Sequence, residues 1–172
     1  MRTIQELIDI LTLEKIDDQV YQGKSLFTPW GRVFGGQVLG QGLAAAYETV
    51  PDDRIAHSMH AYFILAGDVN EPINYEVDLV RDGGSFTTRR VVAKQKGRPI
   101  YTMGASFQLK QEGVEHQISM PNVLPPEVLL PDIKQAEKFK KTAPLIHKRV
   151  TYIHPNPIEF RPVERMDPLH PN

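Results

Sequence analysis

The stretch FGGQVLGQGLAAAYE, residues 34–48, decides the fold. It carries no charged side chain from Phe34 to Tyr47, so a helix over these residues is expected to be covered on most sides. Glycine inside a helix costs about 1 kcal/mol relative to alanine. Even so, Gly36, Gly40 and Ala44 recur every fourth position, and Gly42, Ala45 and Ala46 add to them. Such a stripe implies close approach of another backbone along one side of the helix.

Upstream, Ile4, Leu7, Ile8 and Leu11 keep helical spacing, with Thr3 as N-cap and Glu6 three residues on as its capping-box partner. A short strand is expected over 18–23, and Thr28-Pro29-Trp30-Gly31 reads as a turn. Downstream of Pro51 the texture becomes that of strands. Residues 56–65 are aromatic and aliphatic, and Ile73, Tyr75, Val77 and Leu79 alternate with Asn74, Glu76 and Asp78. Asp82-Gly83-Gly84 marks a hairpin turn before a strand over 86–95, and Lys96-Gly97-Arg98-Pro99 turns the chain again. Over 100–109, Tyr101, Met103, Ala105, Phe107 and Leu109 fall on one face, with Thr102, Gly104, Ser106 and Gln108 on the other.

One buried helix followed by four antiparallel strands of about ten residues each is a restrictive order. A long sheet with a single helix buries both by curling around it, helped by twist and by small residues on the helix. This is the logic of the hot-dog fold, an α+β arrangement. A doubly wound sheet would need helices between the strands, and none is expected there. The hot-dog unit is read as residues 1–120. Ten of the fourteen prolines lie between Pro121 and Pro171, so 121–150 reads as a proline-rich linker with a short polar helix near 133–141. Residues 151–172, with an extended segment over 152–164, read as the first strand of a second, otherwise absent hot-dog.

Composition narrows the function. Apolar residues make up 41% and charged residues 24% of the 172, as in soluble globular proteins. A net charge of −1 gives no general attraction to nucleic acid or anionic membranes. The absence of cysteine excludes disulfides, thiolate metal sites and a cysteine nucleophile. Glu6 and Asp9 interrupt any signal-peptide core, and the uncharged stretch is too short to span a bilayer. A soluble cytoplasmic protein without membrane insertion is expected.

Three segments together resemble the N-terminal repeat of the acyl-CoA thioesterase II family. They are RVFGGQVLGQGLAAAYETVP (32–51), HSMHAYFILAGD (57–68) and PINYEVDLVRDGGSFTTRRVVAKQKGRPIYTMGASFQ (72–108). HQISMP (116–121) and IEFRPVE (158–164) resemble that family's inter-repeat region. The resemblance implies hydrolysis of fatty acyl-CoA to free acid and CoA, with no metal or organic cofactor, in a chain of two hot-dog repeats. It also implies that the catalytic aspartate, threonine or serine, and glutamine lie in the second repeat, outside this sequence. The partners it implies are acyl-CoA, the second repeat, and further copies in a homo-oligomer, since hot-dog sheets pair edge to edge.

Within this chain, His57 belongs to the family's H-S-x-H pattern, and Gln108 is similar to the glutamine used in the second repeat. These two are the candidate catalytic residues. A glutamine amide holds a water or a carbonyl but is no general base. Gly35, Gly36 and Gln37 open the central helix, where backbone amides and the helix dipole favour a developing oxyanion. With Ser58 they form the candidate substrate-binding set. On a straight strand His57 and His60 point to opposite faces and cannot share a metal, and Ser58 shares a face with His60 rather than His57. Asp68, in a Gly-Asp turn, reads as a surface cap. Two other readings stand beside hydrolysis: a non-catalytic acyl-CoA-binding or oligomerisation module, and a hot-dog dehydratase or hydratase leaning on His57.

Overall fold

The computed structural model describes residues 3–28, 30–152 and 157–164. The chain divides into two compact units, one of residues 8–113 and one of residues 1–7 with 114–172.

The first unit is a single sheet with one long helix on it. Helix α1 (Ile4–Leu11) leads into β1 (Glu14–Asp17) and β2 (Val20–Gly23), and helix α2 (Gly35–Tyr47) follows. Four strands complete the unit: β3 (Arg54–Phe63), β4 (Ile73–Asp82), β5 (Phe86–Gln95) and β6 (Arg98–Leu109). The sheet order is β1-β2-β4-β5-β6-β3, and every neighbouring pair is antiparallel. The Thr3 cap is formed, with the Glu6 amide donating to Thr3 Oγ1 at 3.1 Å. The single strand expected over 18–23 is instead a tight hairpin of β1 and β2, turning at Asp18 and Gln19, where Gln19 takes φ +58°. The β5–β6 turn is made by Lys96 and Gly97, both at positive φ (49° and 74°), which is the backbone that a two-residue hairpin matching the strand twist requires.

Strand period two buries the expected face. Ile73, Tyr75 and Val77 of β4, Val91 and Ala93 of β5, and Tyr101, Met103, Ala105 and Phe107 of β6 form the core with Val38, Ala45 and Ala46 of α2. Leu79 departs from the pattern. The β4–β5 register shifts between Asp78 and Arg81, and Leu79 and Val80 are left exposed.

The small-residue stripe is also rotated from its expected place. The face of α2 turned to the sheet carries Val38, Gln41, Gly42, Ala45 and Ala46, whereas Gly36 is exposed and Gly40 and Ala44 are only half-buried. Gly42 is where the sheet closes in, because a Cβ there would sit 3.2 Å from the Tyr101 ring. Gly40 instead accommodates the Leu11 side chain. Spacing alone shows that one side is small but not which side meets the sheet.

Two buried polar groups fix α2. Gln41 is fully buried. Its Nε2 donates to Ile10 O (2.6 Å) and Lys24 O (3.1 Å), and its Oε1 accepts from the Tyr75 hydroxyl (2.7 Å). Arg89, 1% exposed, donates to Asp82 Oδ1 at 2.7 Å, to Thr49 O at 2.8 Å and Oγ1 at 2.9 Å, and to the Arg81 and Thr88 carbonyls. It thereby ties the end of α2 to the β4–β5 hairpin. With its donors occupied, the guanidinium stays buried without an orphaned charge.

In the second unit, α3 (Asp132–Ala136) and α4 (Pro144–Tyr152) are joined through a 3-10 turn over Glu137–Phe139. His147 Nε2 lies 2.9 Å from Glu137 Oε1 and holds that carboxyl below its ordinary range. The expected polar helix near 133–141 is therefore shorter and irregular, and α4 lies where linker was expected. The extended segment expected over 152–164 lies partly outside the described residues, and the described part over 157–164 forms no β-strand. Tyr152 closes α4, while 153–156 and 165–172 lie outside the described residues. Pro157 and Pro162 lack the amide a ladder needs, and no partner strand stands beside this segment among the described residues.

Gly23→Ala is expected to destabilise the protein by about 1–3 kcal/mol, as overpacking of a tight core does. A Cβ there would lie 2.7 Å from the Gln41 carboxamide, which its hydrogen bonds hold in place; urea unfolding checks this. A second outcome concerns alkaline pH. Burial raises Tyr75 above the ordinary tyrosine value of 10 and pushes Tyr101 up to about 12. The unfolded chain therefore loses these protons first. Stability is expected to hold below pH 10 and to fall as pH climbs from 10 toward 12, with tyrosinate absorbance rising together with loss of structure.

Candidate functional site

The site is built on the edge strand. Between Ala56 and Ser58 the β3–β6 register shifts, so His57 is the extra residue of a β-bulge. The bulge is anchored from the helix side, where the Ala56 amide donates to the Tyr47 hydroxyl at 2.8 Å. The Tyr47 ring is in turn set edge-on against Phe107 at 4.9 Å.

The bulge changes which way His57 points. Its Nε2 lies 2.8 Å from Ser106 Oγ, and its ring meets Phe86 edge-on at 5.7 Å. Ser106 faces Ser58, and Gln108 faces Ile55 and Phe86, all on the side of the sheet away from α2. His60, opposite Gly104 and 4.8 Å from the Tyr62 ring, shares that side. The expectation that His57 and His60 point to opposite faces is therefore corrected. One inserted residue shifts the alternation by one and puts His57, Ser58 and His60 on the outer face together. No group of three metal-ligating residues forms among the described residues.

The helix-end candidates lie elsewhere. Gly35 and Gly36 are the first two residues of α2, behind an extended Phe34 that gives no side-chain cap. Amides at such positions have no acceptor within the helix. Gln37 is buried and occupied. Its Nε2 donates to Lys24 O (2.8 Å), its Oε1 accepts from the Leu26 amide (3.2 Å), and its own amide donates to Phe34 O (3.0 Å). Its side chain holds the segment leading into the helix. Gly35 packs against the Phe63 ring, on the helix side and at the far end of β3 from His57. Six residues of strand, about 20 Å at ~3.3 Å each, and the thickness of the sheet separate the two sets. The structure thus gathers His57, Ser58 and Gln108 and keeps them apart from Gly35, Gly36 and Gln37.

Ser106 is the member that the sequence reading did not single out. Its signal was present, since Ser106 and Gln108 alternate on the polar face of β6. Its pairing with His57 depends on the bulge, which no periodicity announces. Asp68 behaves as the expected cap. Its Oδ1 accepts from the Asn70 amide at 2.9 Å and from the Asn70 side chain at 3.0 Å, and the amide bond holds the carboxyl below its ordinary range.

A sheet curled on one central helix, with a long free edge beside this cluster, is the hot-dog fold. The chain shares it with a hot-dog protein from Alicyclobacillus acidocaldarius, 24% identical, with a TM-score of 0.63 over 73% of this chain and 48% of that one. Residues 26–108 match the family model described as the acyl-CoA thioesterase N-terminal domain. It is 39% identical to human acyl-coenzyme A thioesterase 8, over 92% of this chain and 54% of that protein. The solved acyl-CoA thioesterase II TesB2 of Mycobacterium marinum is 45% identical, with a TM-score of 0.64 over 70% of this chain and 45% of that one. The chain spans about half the length of the curated relatives it matches.

Tyr47→Phe removes the acceptor for the Ala56 amide. It is expected to cost about 1 kcal/mol and to speed hydrogen exchange at Ala56 relative to the centre of β6, which amide-resolved exchange measures.

Proposed function

We propose that this chain is the first half of an acyl-CoA thioesterase, whose hydrolysis of fatty acyl-CoA to free acid and CoA is completed by a second hot-dog repeat. The observation that carries this reading is the free edge of β3. The opposite edge, β1, has four residues and carries Glu14, Lys15 and Asp17, features that discourage further pairing. β3 has ten residues, and Met59 and Phe63 on its helix-facing side stay exposed (38% and 59%), even though the start of α2 touches Phe63 at Gly35. A second hot-dog, on the same or a separate chain, would extend the ladder and cover these side chains. Homo-oligomers would form by the same kind of contact. The names of the relatives support acyl-CoA hydrolysis, and the share of their length that this chain spans leaves room for a second half.

In this reading the second repeat supplies the carboxylate that activates water. His57 and Gln108 of the outer-face cluster, with Ser58, act on the thioester from this half. The uncapped start of α2, at Gly35, Gly36 and Gln37, contacts substrate at the other end of the edge strand. Among the described residues no helix is long and apolar enough to cross a membrane, and we place the protein in the cytoplasm on its cysteine-free composition.

The isolated 172 residues are expected to hydrolyse palmitoyl-CoA at least about a hundredfold more slowly than the same chain joined to a second repeat, the scale of losing a general base. A full rate from the 172 residues alone would overturn the two-repeat reading. Calorimetric heat with acyl-CoA but not with CoA, without turnover in either form, would favour the binding-module reading instead.

A further inference from the structure

We infer that Ser106 is an acyl acceptor within this half, with His57 as its base, so that an acyl-CoA transfers its acyl group onto the Ser106 hydroxyl. The inference rests on acyl-CoA as the substrate proposed above, and it places a covalent step where the second repeat is not needed.

Four observations converge on the pair. His57 Nε2 and Ser106 Oγ are 2.8 Å apart, within the reach that a nucleophile and its base need. His57 reaches this position only because it is the inserted residue of a bulge, whose backbone is pinned by the Tyr47 hydroxyl. The ring is further restricted by Phe86. His57 is exposed and Ser106 half-buried, so the pair adds little to stability by satisfying buried polar groups, and it is open to a substrate arriving over the outer face. Gln108, two residues along the same face of β6, brings a side-chain amide donor to the neighbourhood where an oxyanion would develop.

The step balances without a further reactant. In the neutral ring protonated on Nδ1, Nε2 accepts the Ser106 proton as Oγ adds to the thioester carbonyl carbon. The tetrahedral adduct collapses and the carbon–sulfur bond breaks. The departing CoA sulfur takes the proton back from His57. The products are an ester on Ser106 and free CoA thiol. Release of the fatty acid from that ester then needs a water activated from outside this half, as the two-repeat reading supplies.

The test incubates the full-length protein with palmitoyl-CoA, quenches with acid during turnover, and maps acyl groups by peptide mass. One palmitoyl ester on the peptide containing Ser106 is expected. Ser106→Ala abolishes it, and Ser106→Cys restores it as a hydroxylamine-labile thioester. His57→Gln slows its formation by about a hundredfold or more, the scale of general-base loss, with circular dichroism unchanged. Hydrolysis of palmitoyl-CoA with no acyl group on Ser106, or with the group on another residue, overturns the inference and leaves the thioesterase reading standing. Acylation of Ser106 at an unchanged rate in His57→Gln overturns the assignment of the base. Absence of both hydrolysis and adduct overturns the two proposals together.

Discussion

The carboxamide of Gln41 ties α2 to α1 and to the paired strands β2 and β4. Buried completely, it hydrogen-bonds the carbonyl of Ile10 in the last turn of α1, the carbonyl of Lys24 at the exit of β2, and the hydroxyl of Tyr75 on β4. Gln37 adds a fourth contact one turn earlier on α2. An amide in an apolar interior is costly unless its partners are satisfied, so these bonds also set the position of α2 on the sheet. Gly23 follows from it, because the carboxamide occupies the space that a β-carbon would need. At the other end of α2, Arg89 makes an equivalent clamp to Thr49 and Asp82. Between these two polar anchors the helix presents little but small side chains to β6.

That arrangement explains which parts of the fold were legible in the sequence. The stretches 73–77 and 101–107 alternate cleanly because one face is buried against the helix, and burial is what writes a period of two into a sequence. The strand over 86–95 was marked by its flanking turns instead, since its buried face includes Thr87 and Arg89. The helix was legible from its lack of charge, but its orientation was not. Gly36, Gly40 and Ala44 form the obvious repeat, yet the face toward the sheet is set by Gln41 and Gly42. A glutamine reads as polar in any pattern, although here it is a core residue. Bulges were equally silent. The one in β4 exposes Leu79, and the one in β3 turns His57, because an inserted residue leaves composition unchanged while reversing every face beyond it. The C-terminal third was the least legible, since proline-rich sequence records what a segment cannot form more than what it does.

The candidate site shows the same limit in a more useful form. His57, Ser58 and Gln108 were singled out from their resemblance to a family pattern, not from geometry, and the fold gathers them on one face beside Ser106. Gly35, Gly36 and Gln37 were singled out from the electrostatics of a helix start, which holds for many helices. Here Gln37 is committed to holding the Lys24–Leu26 segment, and only the two glycines keep amides with no acceptor in the helix.

The division of these groups bears on the two-repeat reading. A thioester hydrolase brings an attacking oxygen, its base and the oxyanion donors to within about 3 Å of one carbon. Within this unit the outer-face cluster and the start of α2 lie on opposite sides of the sheet and at opposite ends of β3, so they cannot serve a single carbonyl. Each must therefore be completed from outside or act alone. The outer-face cluster has a base and a hydroxyl already in contact, which makes it self-sufficient for acyl transfer but not for activating water with a carboxylate. The start of α2 has donors and no base, and it stands beside the exposed end of the edge strand, where the helix-facing side chains await a cover. In the two-repeat reading, a second copy of such a unit would leave each copy free to keep only one of the two sets. In that reading, the unequal finish of the two sheet edges, one short and charged, the other long with Met59 and Phe63 exposed on its helix-facing side, suits a unit that pairs along β3.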